Sequence, residues 1–246
     1  MTTAHRATLL LATGNPKKGR ELADLCADAF DVVTLQDVGL QDLDVVEDAP
    51  DFAGNAHKKA REARAALLAN GDVHGVAWVI ADDSGLCVTA LDGHPGVRSA
   101  RFALDAAYAP VDDVGQPLSR DAANNRLLLQ RLGSTAAEHR QAFFVCAVAA
   151  VPVDAVDAVD AVDAVDAVDD GVTVTAAGRV TGRIATDEVG GGGFGYDPLF
   201  IVDDDGAPAV RGRRMAELSA HDKHAISHRG RAMASLVAQL LAASSR

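Results

Sequence analysis

Positive charge and cysteine are scarce in this chain of 246 residues. It has 23 Lys and Arg against 35 Asp and Glu, a formal net charge of −12. Neither polymeric nucleic acid nor a membrane surface is therefore an expected partner, because both repel an acidic protein on average. A local basic site is compatible with this balance. The three cysteines, Cys26, Cys87 and Cys146, lie far apart, which excludes a disulfide framework and favours a reducing, cytoplasmic compartment.

Long hydrophobic runs are also missing. No segment approaches the roughly 20 apolar residues that a membrane-spanning helix needs, since the longest candidate, near 142–151, is broken by Pro152. The apolar run at 7–12 is too short for a signal peptide. With 48% hydrophobic residues, the chain has enough apolar material for a core, and its length fits one α/β domain over 1–246. We predict a soluble, cytoplasmic globular protein.

The hydrophobic pattern predicts an α/β fold. The strand-like run at 7–12 precedes a turn and a helix pattern over 17–29, and further helix patterns cover 51–69, 121–132 and 219–243. Ser119 and Ser219 are predicted to cap the last two of these helices. The middle of the chain instead carries consecutive strand patterns, at 77–81, 86–91, 141–151 and 172–184. Alternation at the start and consecutive strands in the middle favour a mixed, twisted β-sheet flanked by helices.

A low-complexity tract at 153–170 repeats Val-Asp-Ala with a period of three. This period matches neither the alternation of a strand nor the spacing of a helix. Because the tract lies between two strand patterns, we interpret it as a hairpin loop enlarged by repeat expansion, without a catalytic role. A weak cation-binding loop is the alternative, although the turn-forming Gly and closing Glu of a calcium loop are missing.

A phosphate-binding turn is indicated between the first strand and the first helix. The segment supplies backbone N–H groups, a hydroxyl, an amide and two ammonium groups, from Thr13, Gly14, Asn15, Pro16, Lys17 and Lys18. These donors lie at the positive end of a helix dipole, where anions bind. The Walker pattern G-x-x-x-x-G-K-[ST] is absent. An ordinary Gly-Asn-Pro turn with exposed lysines explains the same residues equally well.

Two acidic pairs are candidate sites for a divalent cation. Asp82 and Asp83 follow a strand pattern, where alternation directs only one of them toward a given site, and Glu47 and Asp48 precede a helix pattern. A carboxylate there can hold Mg²⁺ together with substrate phosphates, or act as a general base on water. From these residues alone, a turn built by Asp82 and Asp83 is slightly favoured, and Glu47 or Asp48 can simply complement a helix dipole.

The most unusual composition is a glycine-rich stretch, in which five of the six residues 190–195 are Gly. So much glycine is expected where the backbone bends sharply or closely approaches a ligand. Phe194 can stack on a flat base and Asp197 can accept base N–H groups, although Phe194 can equally be core filler. Donors suited to phosphate or a purine carbonyl follow before the last helix: Lys223, His228 and Arg229. Each of these is individually more often just exposed.

Taken together and in order, these motifs resemble those of the inosine triphosphate pyrophosphatase family, also described as dITP/XTP pyrophosphatases. The matching segments are 11–18, 51–56 with Lys59, 80–86, 95–101, 123–126, 193–198 and 225–230. They span nearly the whole chain, and so many short motifs in the family's order are very unlikely by chance. One position departs from the family pattern, because Gly54 stands where an acidic residue is common.

The resemblance implies hydrolysis of ITP, dITP and XTP to the monophosphate and pyrophosphate, which cleanses the nucleotide pool. It implies dependence on Mg²⁺, a homodimer, and two lobes with the nucleotide site in the cleft between them. Asp83 matches the family's proton acceptor and metal-site carboxylate, with Glu47 as second metal ligand and Asp82 as support. Triphosphate binding would fall to 13–18, Lys59, Ser84 and Lys223. The base pocket would comprise Phe194, Gly195, Tyr196, Asp197, His228 and Arg229.

Two other functions stay open at this point. The chain could be a broader nucleotide pyrophosphatase acting on modified pyrimidines or standard triphosphates, or a nucleotide-binding sensor that has lost catalysis. The presence of Lys18, Glu47 and Asp83 argues against the sensor. Selectivity against adenine is intelligible, because the oxygen at purine position six accepts hydrogen bonds whereas an amino group would leave pocket donors unpaired. Guanine shares that oxygen, and nothing in the sequence accounts for its exclusion.

Overall fold

The structure, a computed structural model, describes residues 6–71, 73, 75–154, 173–190 and 192–244. Of Lys17 it describes the backbone only. Most of the low-complexity tract predicted at 153–170 lies outside the described residues, since only Val153 and Asp154 belong to them. The interpretation of this tract as an enlarged loop therefore stays a prediction.

Six strands of the described residues form a sheet in the order β2-β1-β3-β4-β5-β6. They are β1 (Thr8–Leu11), β2 (Asp31–Thr34), β3 (Val76–Val88), β4 (Gln141–Pro152), β5 (Val174–Ile184) and β6 (Phe200–Val202). Strand β1 pairs in parallel with both neighbours, so that Leu10 lies opposite Val33 and Val79, whereas β5 and β6 pair antiparallel. The predicted α/β class with a mixed sheet is confirmed.

The described part of the chain also contains six α-helices. They are α1 (Pro16–Cys26), α2 (Phe52–Ala69), α3 (Phe102–Asp105), α4 (Arg120–Leu132), α5 (Ala220–Ile226) and α6 (His228–Ser244). The predicted caps are confirmed for α4 and α5, where Ser119 accepts a hydrogen bond from the backbone N–H of Ala122 and Ser219 from that of Asp222. Such caps satisfy N–H groups that the first turn leaves without a partner.

Two local predictions were wrong. The segment 82–85, interpreted as a turn between two strands, is part of the continuous strand β3. The helix predicted over 219–243 is divided at Ser227, whose backbone is extended, with φ −64° and ψ 155°. Its N–H still donates to the carbonyl of Lys223, so α5 closes its last turn before α6 begins.

The chain divides into two compact units. The first unit comprises Met1–Asp83, Ala147–Ala177 and Arg229–Arg246, and the second comprises Ser84–Cys146 and Gly178–His228. The prediction of one functional domain over 1–246, like that of a nucleotide site between two lobes, stays a prediction. None of the described helices is both long enough and apolar enough to cross a membrane.

The core of the first unit forms where α2 packs small side chains against the sheet. Ala56, Ala60, Ala63 and Leu67 are buried with side chains of β1, β3 and β4. Their spacing of four, three and four places them on one face of the helix. This packing fixes α2 beside β3, and it thereby brings polar residues of the two elements into contact.

The core of the second unit is built on bulkier residues. Leu128 and Leu132 of α4 are buried in one cluster with Leu86 of β3 and Phe200 of β6. The ring of Phe144 packs at 4.6 Å from that of Phe200, measured between centroids. Because α4 is anchored in this core, the position of its first turn is fixed as well.

Candidate active site

Lys59 lies between two carboxylates in the first unit. Its Nζ is 2.7 Å from Glu47 Oε1 and 3.8 Å from Asp83 Oδ1. One turn earlier on α2, buried Asn55 donates from Nδ2 to Asp83 Oδ2 at 2.9 Å, and its Oδ1 accepts from the backbone N–H of Ala49 at 3.0 Å. Since positions i and i+4 share a helix face, α2 directs Asn55 and Lys59 together toward Asp83.

The environment of Asp83 disfavours its charged form. Burial raises the pKa of this carboxyl, and the nearby charge of Glu47 adds to the effect, while Lys59 and the hydrogen bond from Asn55 oppose it. Burial also opposes the charge of Lys59, but Asp82, Asp83 and Glu47 outweigh it and raise the pKa of the ammonium group. A carboxylate with a raised pKa and fixed orientation is suited to accept a proton.

Asp82 has a different set of partners. Its Oδ2 lies 3.2 Å from Lys18 Nζ and 3.7 Å from Arg229 Nε. Burial works against ionisation of this carboxyl, but Lys18, Arg229 and Lys59 outweigh burial and hold its pKa well below the usual range. Successive residues of a strand point to opposite faces, so the nearest partners of Asp82, Lys18 and Arg229, differ from those of Asp83. The charge of Lys59 acts on both carboxylates.

Arg229 is a buried residue of this ionic arrangement. Besides facing Asp82, its Nη1 lies 3.2 Å from Glu21 Oε2, and both side chains are at most 7% exposed. We call the seven residues the ionic cluster: Lys18, Glu21, Glu47, Lys59, Asp82, Asp83 and Arg229. The base-contacting role that the resemblance implies for Arg229 stays a prediction, because in this structure its guanidinium faces carboxylates of the first unit.

The predicted phosphate turn connects β1 to α1, and some of its backbone N–H groups donate to side chains of the turn itself. Thr13 Oγ1 accepts from the N–H of Asn15 at 3.2 Å, and Asn15 Oδ1 accepts from the N–H of Lys18 at 3.3 Å. Two of the backbone donors expected for phosphate are therefore engaged within the turn. Gly14 is exposed and Pro16 is the first residue of α1, where a missing N–H costs nothing.

Gly54 is packed too closely for a side chain. A Cβ atom placed there would lie 2.9 Å from Ala49 Cβ and 3.2 Å from Asp51 Oδ1. Asp51 caps α2 by accepting from the N–H of Gly54 at 2.7 Å. An acidic side chain here, which is common in the resembling family, would therefore require Ala49 to shift.

The residues around Lys59 fit a magnesium ion that is shared with a substrate. Glu47 and Asp83 offer carboxylate oxygens on either side of one ammonium group. Within the described ranges, no group of three or more His, Cys, Asp or Glu could hold a metal alone. Mg²⁺ commonly uses one or two carboxylates plus phosphates and water.

In the second unit, we call residues 193–197 the glycine loop. Its Phe194 lies beside a carboxylate and an ammonium group that pair with each other. Asp197 Oδ2 accepts from the N–H of Phe194 at 2.9 Å and lies 2.7 Å from Lys223 Nζ. The same Nζ is 4.8 Å from the centroid of the Phe194 ring, a cation–π distance. Gly193 has φ +76°, and a Cβ there would lie 2.1 Å from Asp197 Oδ2, so this position requires glycine.

Two further predicted residues of the second unit are buried. Tyr196 donates from its hydroxyl to the carbonyl of Ser99 at 2.9 Å, and burial, together with the charge of Asp121, raises its pKa. His228 stacks on Phe144, with centroids 4.9 Å apart and rings inclined by 11°. Both side chains therefore pack in the interior of the second unit. Ser84, half-buried in β3, begins that unit directly after Asp83.

Three residues that organise these groups were not among the predicted site residues. They are Glu21, Asn55 and Asp121, the last of which accepts from the N–H of Gly195 at 2.9 Å. For Glu21 and Asn55 a signal existed, since each is separated by one helical turn from a predicted residue, Lys18 or Lys59. For Asp121, the first-turn position in α4 suggested only an interaction with the helix dipole.

Comparison with known proteins gives consistent results. The model of the Ham1 family matches residues 9–239. A Clostridium perfringens protein named dITP/XTP pyrophosphatase is 35% identical over 228 residues, 92% of this chain and 94% of that protein. A protein of the same name from Mycolicibacterium paratuberculosis is 41% identical over 236 residues, 94% of this chain and 95% of that one.

Solved structures show the same similarity in three dimensions. The Staphylococcus aureus Ham1 protein matches with a TM-score of 0.68 at 33% identity, covering 96% of this chain and 98% of that one. A Mycobacterium abscessus structure, described as a nucleoside-triphosphatase and dITP/XTP pyrophosphatase, matches with a TM-score of 0.59 at 37% identity, covering 93% and 98%.

Proposed function

Because this chain belongs to the Ham1 family, we propose that it hydrolyses the non-standard purine nucleoside triphosphates XTP, dITP and ITP to the monophosphate and pyrophosphate. The names of its relatives support dITP and XTP as substrates, and ITP carries the same base as dITP. The observation that carries the proposal is the setting of Asp83: a buried carboxyl with a raised pKa, held by Asn55 and beside Lys59.

Asp83 accepts a proton from the attacking water. Its raised pKa makes the carboxylate a stronger base than an ordinary aspartate, and the hydrogen bond from Asn55 keeps the group oriented. The water oxygen forms a new bond to phosphorus, the bond between the α- and β-phosphates breaks, and pyrophosphate leaves with the electron pair. Lys18 and Lys59 supply positive charge to the phosphate oxygens on which negative charge develops.

Glu47 and Asp83 would hold Mg²⁺ together with the triphosphate. A bound Mg²⁺ would neutralise phosphate charge and polarise the reacting phosphorus. Asn55 contributes indirectly, because its side chain accepts from Ala49, close to Glu47 in sequence, and donates to Asp83. The side-chain amide of Asn55 therefore links the segment that carries Glu47 to Asp83.

Base recognition is assigned to the glycine loop. The face of Phe194 would stack on the purine, and the pair of half-buried Lys223 and buried Asp197 keeps charge and hydrogen-bonding groups beside the ring. A donor directed at the oxygen on purine position six would select hypoxanthine and xanthine against adenine. The homodimer and the cytoplasmic location are further parts of the proposal, supported by the resemblance and by composition.

The direct test is product analysis. The purified protein is incubated with XTP, ITP, dITP, GTP and ATP, each with Mg²⁺ or with EDTA, and pyrophosphate and orthophosphate are quantified separately. We expect Mg²⁺-dependent release of pyrophosphate from XTP, ITP and dITP, far above GTP and ATP. Release of orthophosphate would place the cut at the terminal phosphate. Equal turnover of all five would favour the broader pyrophosphatase, and binding without turnover would favour the sensor.

A further inference from the structure

We propose that Asp121 is a positioning residue that orients Phe194 by holding the backbone of the glycine loop, and so contributes to base selectivity. This inference rests on the proposed function in one respect, namely that Phe194 contacts the base. Asp121 lies in the first turn of α4, 74 positions from its partner Gly195, and no motif of the resemblance assigns it a role.

The geometry that carries the inference is a pair of hydrogen bonds on the two sides of one Cα atom. The N–H of Phe194 donates to Asp197 Oδ2 at 2.9 Å, and the N–H of Gly195 donates to Asp121 Oδ2, also at 2.9 Å. These two N–H groups belong to the peptide planes before and after Phe194. Fixing both planes fixes the direction of its Cα–Cβ bond and hence the place of the ring.

The loop needs such anchors because its own sequence is permissive. Gly193 and Gly195 flank Phe194 and have φ +76° and +61°, a region that glycine enters readily among many others. The carboxylate of Asp197 restrains the N-terminal side of Phe194. On the C-terminal side, the carbonyl of Phe194 accepts from the N–H of Asp197 at 3.4 Å, whereas Asp121 accepts from the N–H of Gly195 at 2.9 Å. Without Asp121, this peptide plane would lose the shorter of these two hydrogen bonds.

Asp121 is well placed to act as a rigid anchor. Leu128 and Leu132 bury α4 in the core of the second unit, and Ser119 already caps the helix. The Asp121 side chain is 40% exposed, and its Oδ1 also lies 3.9 Å from Arg120 Nε. Because the acceptor is charged, loss of the hydrogen bond from Gly195 should shift the population of loop conformations by about tenfold.

The test compares Asp121→Ala with Asp121→Asn, which retains an acceptor oxygen, and with Gln130→Ala as a control. Gln130 is an exposed residue of the same helix. We expect Asp121→Ala to raise KM for XTP about tenfold, to leave kcat nearly unchanged, and to lower the ratio of kcat/KM for XTP over ATP. Asp121→Asn should recover most of the loss, and Gln130→Ala should behave as wild type.

A second readout does not depend on the reaction. Amide hydrogen exchange at Gly195 should accelerate in Asp121→Ala and return toward the wild-type rate in Asp121→Asn, with exchange in the core strands unchanged. An unchanged rate at Gly195 would overturn the anchoring. If exchange accelerates while KM and the XTP to ATP ratio stay at wild-type values, the link from loop to base recognition is wrong. Absence of pyrophosphate release by the wild-type protein would instead refute the proposed function.

Discussion

In the first unit Lys18, Lys59 and Arg229 each pair with a carboxylate, whereas in the second unit two carboxylates hold the backbone of a glycine-rich loop. In the ionic cluster, each buried charge lies beside one of opposite sign, which offsets the cost of burial and sets the pKa values of the carboxyl groups. In the glycine loop, side-chain hydrogen bonds restrict a flexible backbone and thereby fix the position of the Phe194 ring. The first arrangement suits charge development in a reaction, and the second suits recognition of a flat base.

The largest expected effect is on turnover and arises in the ionic cluster. Asp83→Asn preserves size and the contact with Asn55 but removes the proton acceptor, so kcat for XTP should fall about 10²–10⁴-fold. Nucleotide binding should stay measurable by equilibrium titration, because the cations of the cluster are retained. Activity close to that of the wild type would show that Asp83 is not the base. The matched control is Asp48→Asn, because Asp48 is an exposed carboxylate next to Glu47 in the sequence.

The next largest effect is on the free energy of unfolding. It is used to measure the coupling between charged residues of the cluster. Arg229→Met removes a buried cation from between Glu21 and Asp82, and should lower the free energy of unfolding by about 3–5 kcal/mol. Adding Glu21→Gln to this variant should restore part of the loss, since one uncompensated carboxylate disappears. Urea unfolding of the two single variants and the double variant measures the coupling. Additive losses would mean that Arg229 and Glu21 act independently.

A smaller effect is expected from distorting the glycine loop. Gly193→Ala places a Cβ where Asp197 Oδ2 lies, at 2.1 Å, and the backbone there has φ +76°. Strain of this kind costs on the order of 1–3 kcal/mol, and moving Asp197 also disturbs its pair with Lys223. KM for XTP should rise with little change in kcat. Gly195→Ala, where a Cβ would meet open space, should have a milder effect. The opposite ranking would contradict the close packing of Asp197.

The last comparison is between Asp82 and Asp83 of the ionic cluster, whose pKa values are shifted in opposite directions. The lowered pKa of Asp82 means that its ionised form stabilises the folded chain above the ordinary carboxyl pKa of about 4, and that this contribution is lost as pH falls below it. The raised pKa of Asp83 has the opposite sign, because folding disfavours its charged form at neutral pH. Urea unfolding in EDTA should therefore show Asp82→Asn as destabilising and Asp83→Asn as neutral or stabilising at pH 7.

Acidification should reduce both differences from the wild type, since protonated aspartate resembles asparagine. A difference between wild type and Asp82→Asn that stays constant down to about pH 3 would contradict the lowered pKa of Asp82. Asp83→Asn provides the internal control, because it changes the adjacent residue of the same strand.

Sequence analysis predicted the parts of the molecule that depend on local pattern. The helix over 51–69 and the caps at Ser119 and Ser219 follow from spacing and side-chain type, and the structure has them. The segment 82–85 was misinterpreted because two aspartates resemble a turn. In the structure they belong to a mostly buried strand, where Lys18 and Lys59, distant in the sequence, lie beside them.

The sequence offers candidate site residues but not the contacts between them. Composition and resemblance predict roles for Lys59, Asp83 and Phe194, and these roles stay predictions. The side chains that hold them come from far along the chain: Asn55 is 28 positions from Asp83, and Asp121 is 74 from Gly195. No local rule connects such positions, because the contacts arise only when helices pack in their cores.

The central claim is that the ionic cluster carries the reaction and the glycine loop carries base selectivity. The measurement that tests it most directly is the ratio of kcat/KM for XTP over ATP in Asp83→Asn and in Phe194→Ala. We expect Asp83→Asn to lower both values while leaving the ratio unchanged, and Phe194→Ala to lower the ratio through about 1–3 kcal/mol of lost stacking. A ratio unchanged in Phe194→Ala, or altered in Asp83→Asn, would contradict this division of roles.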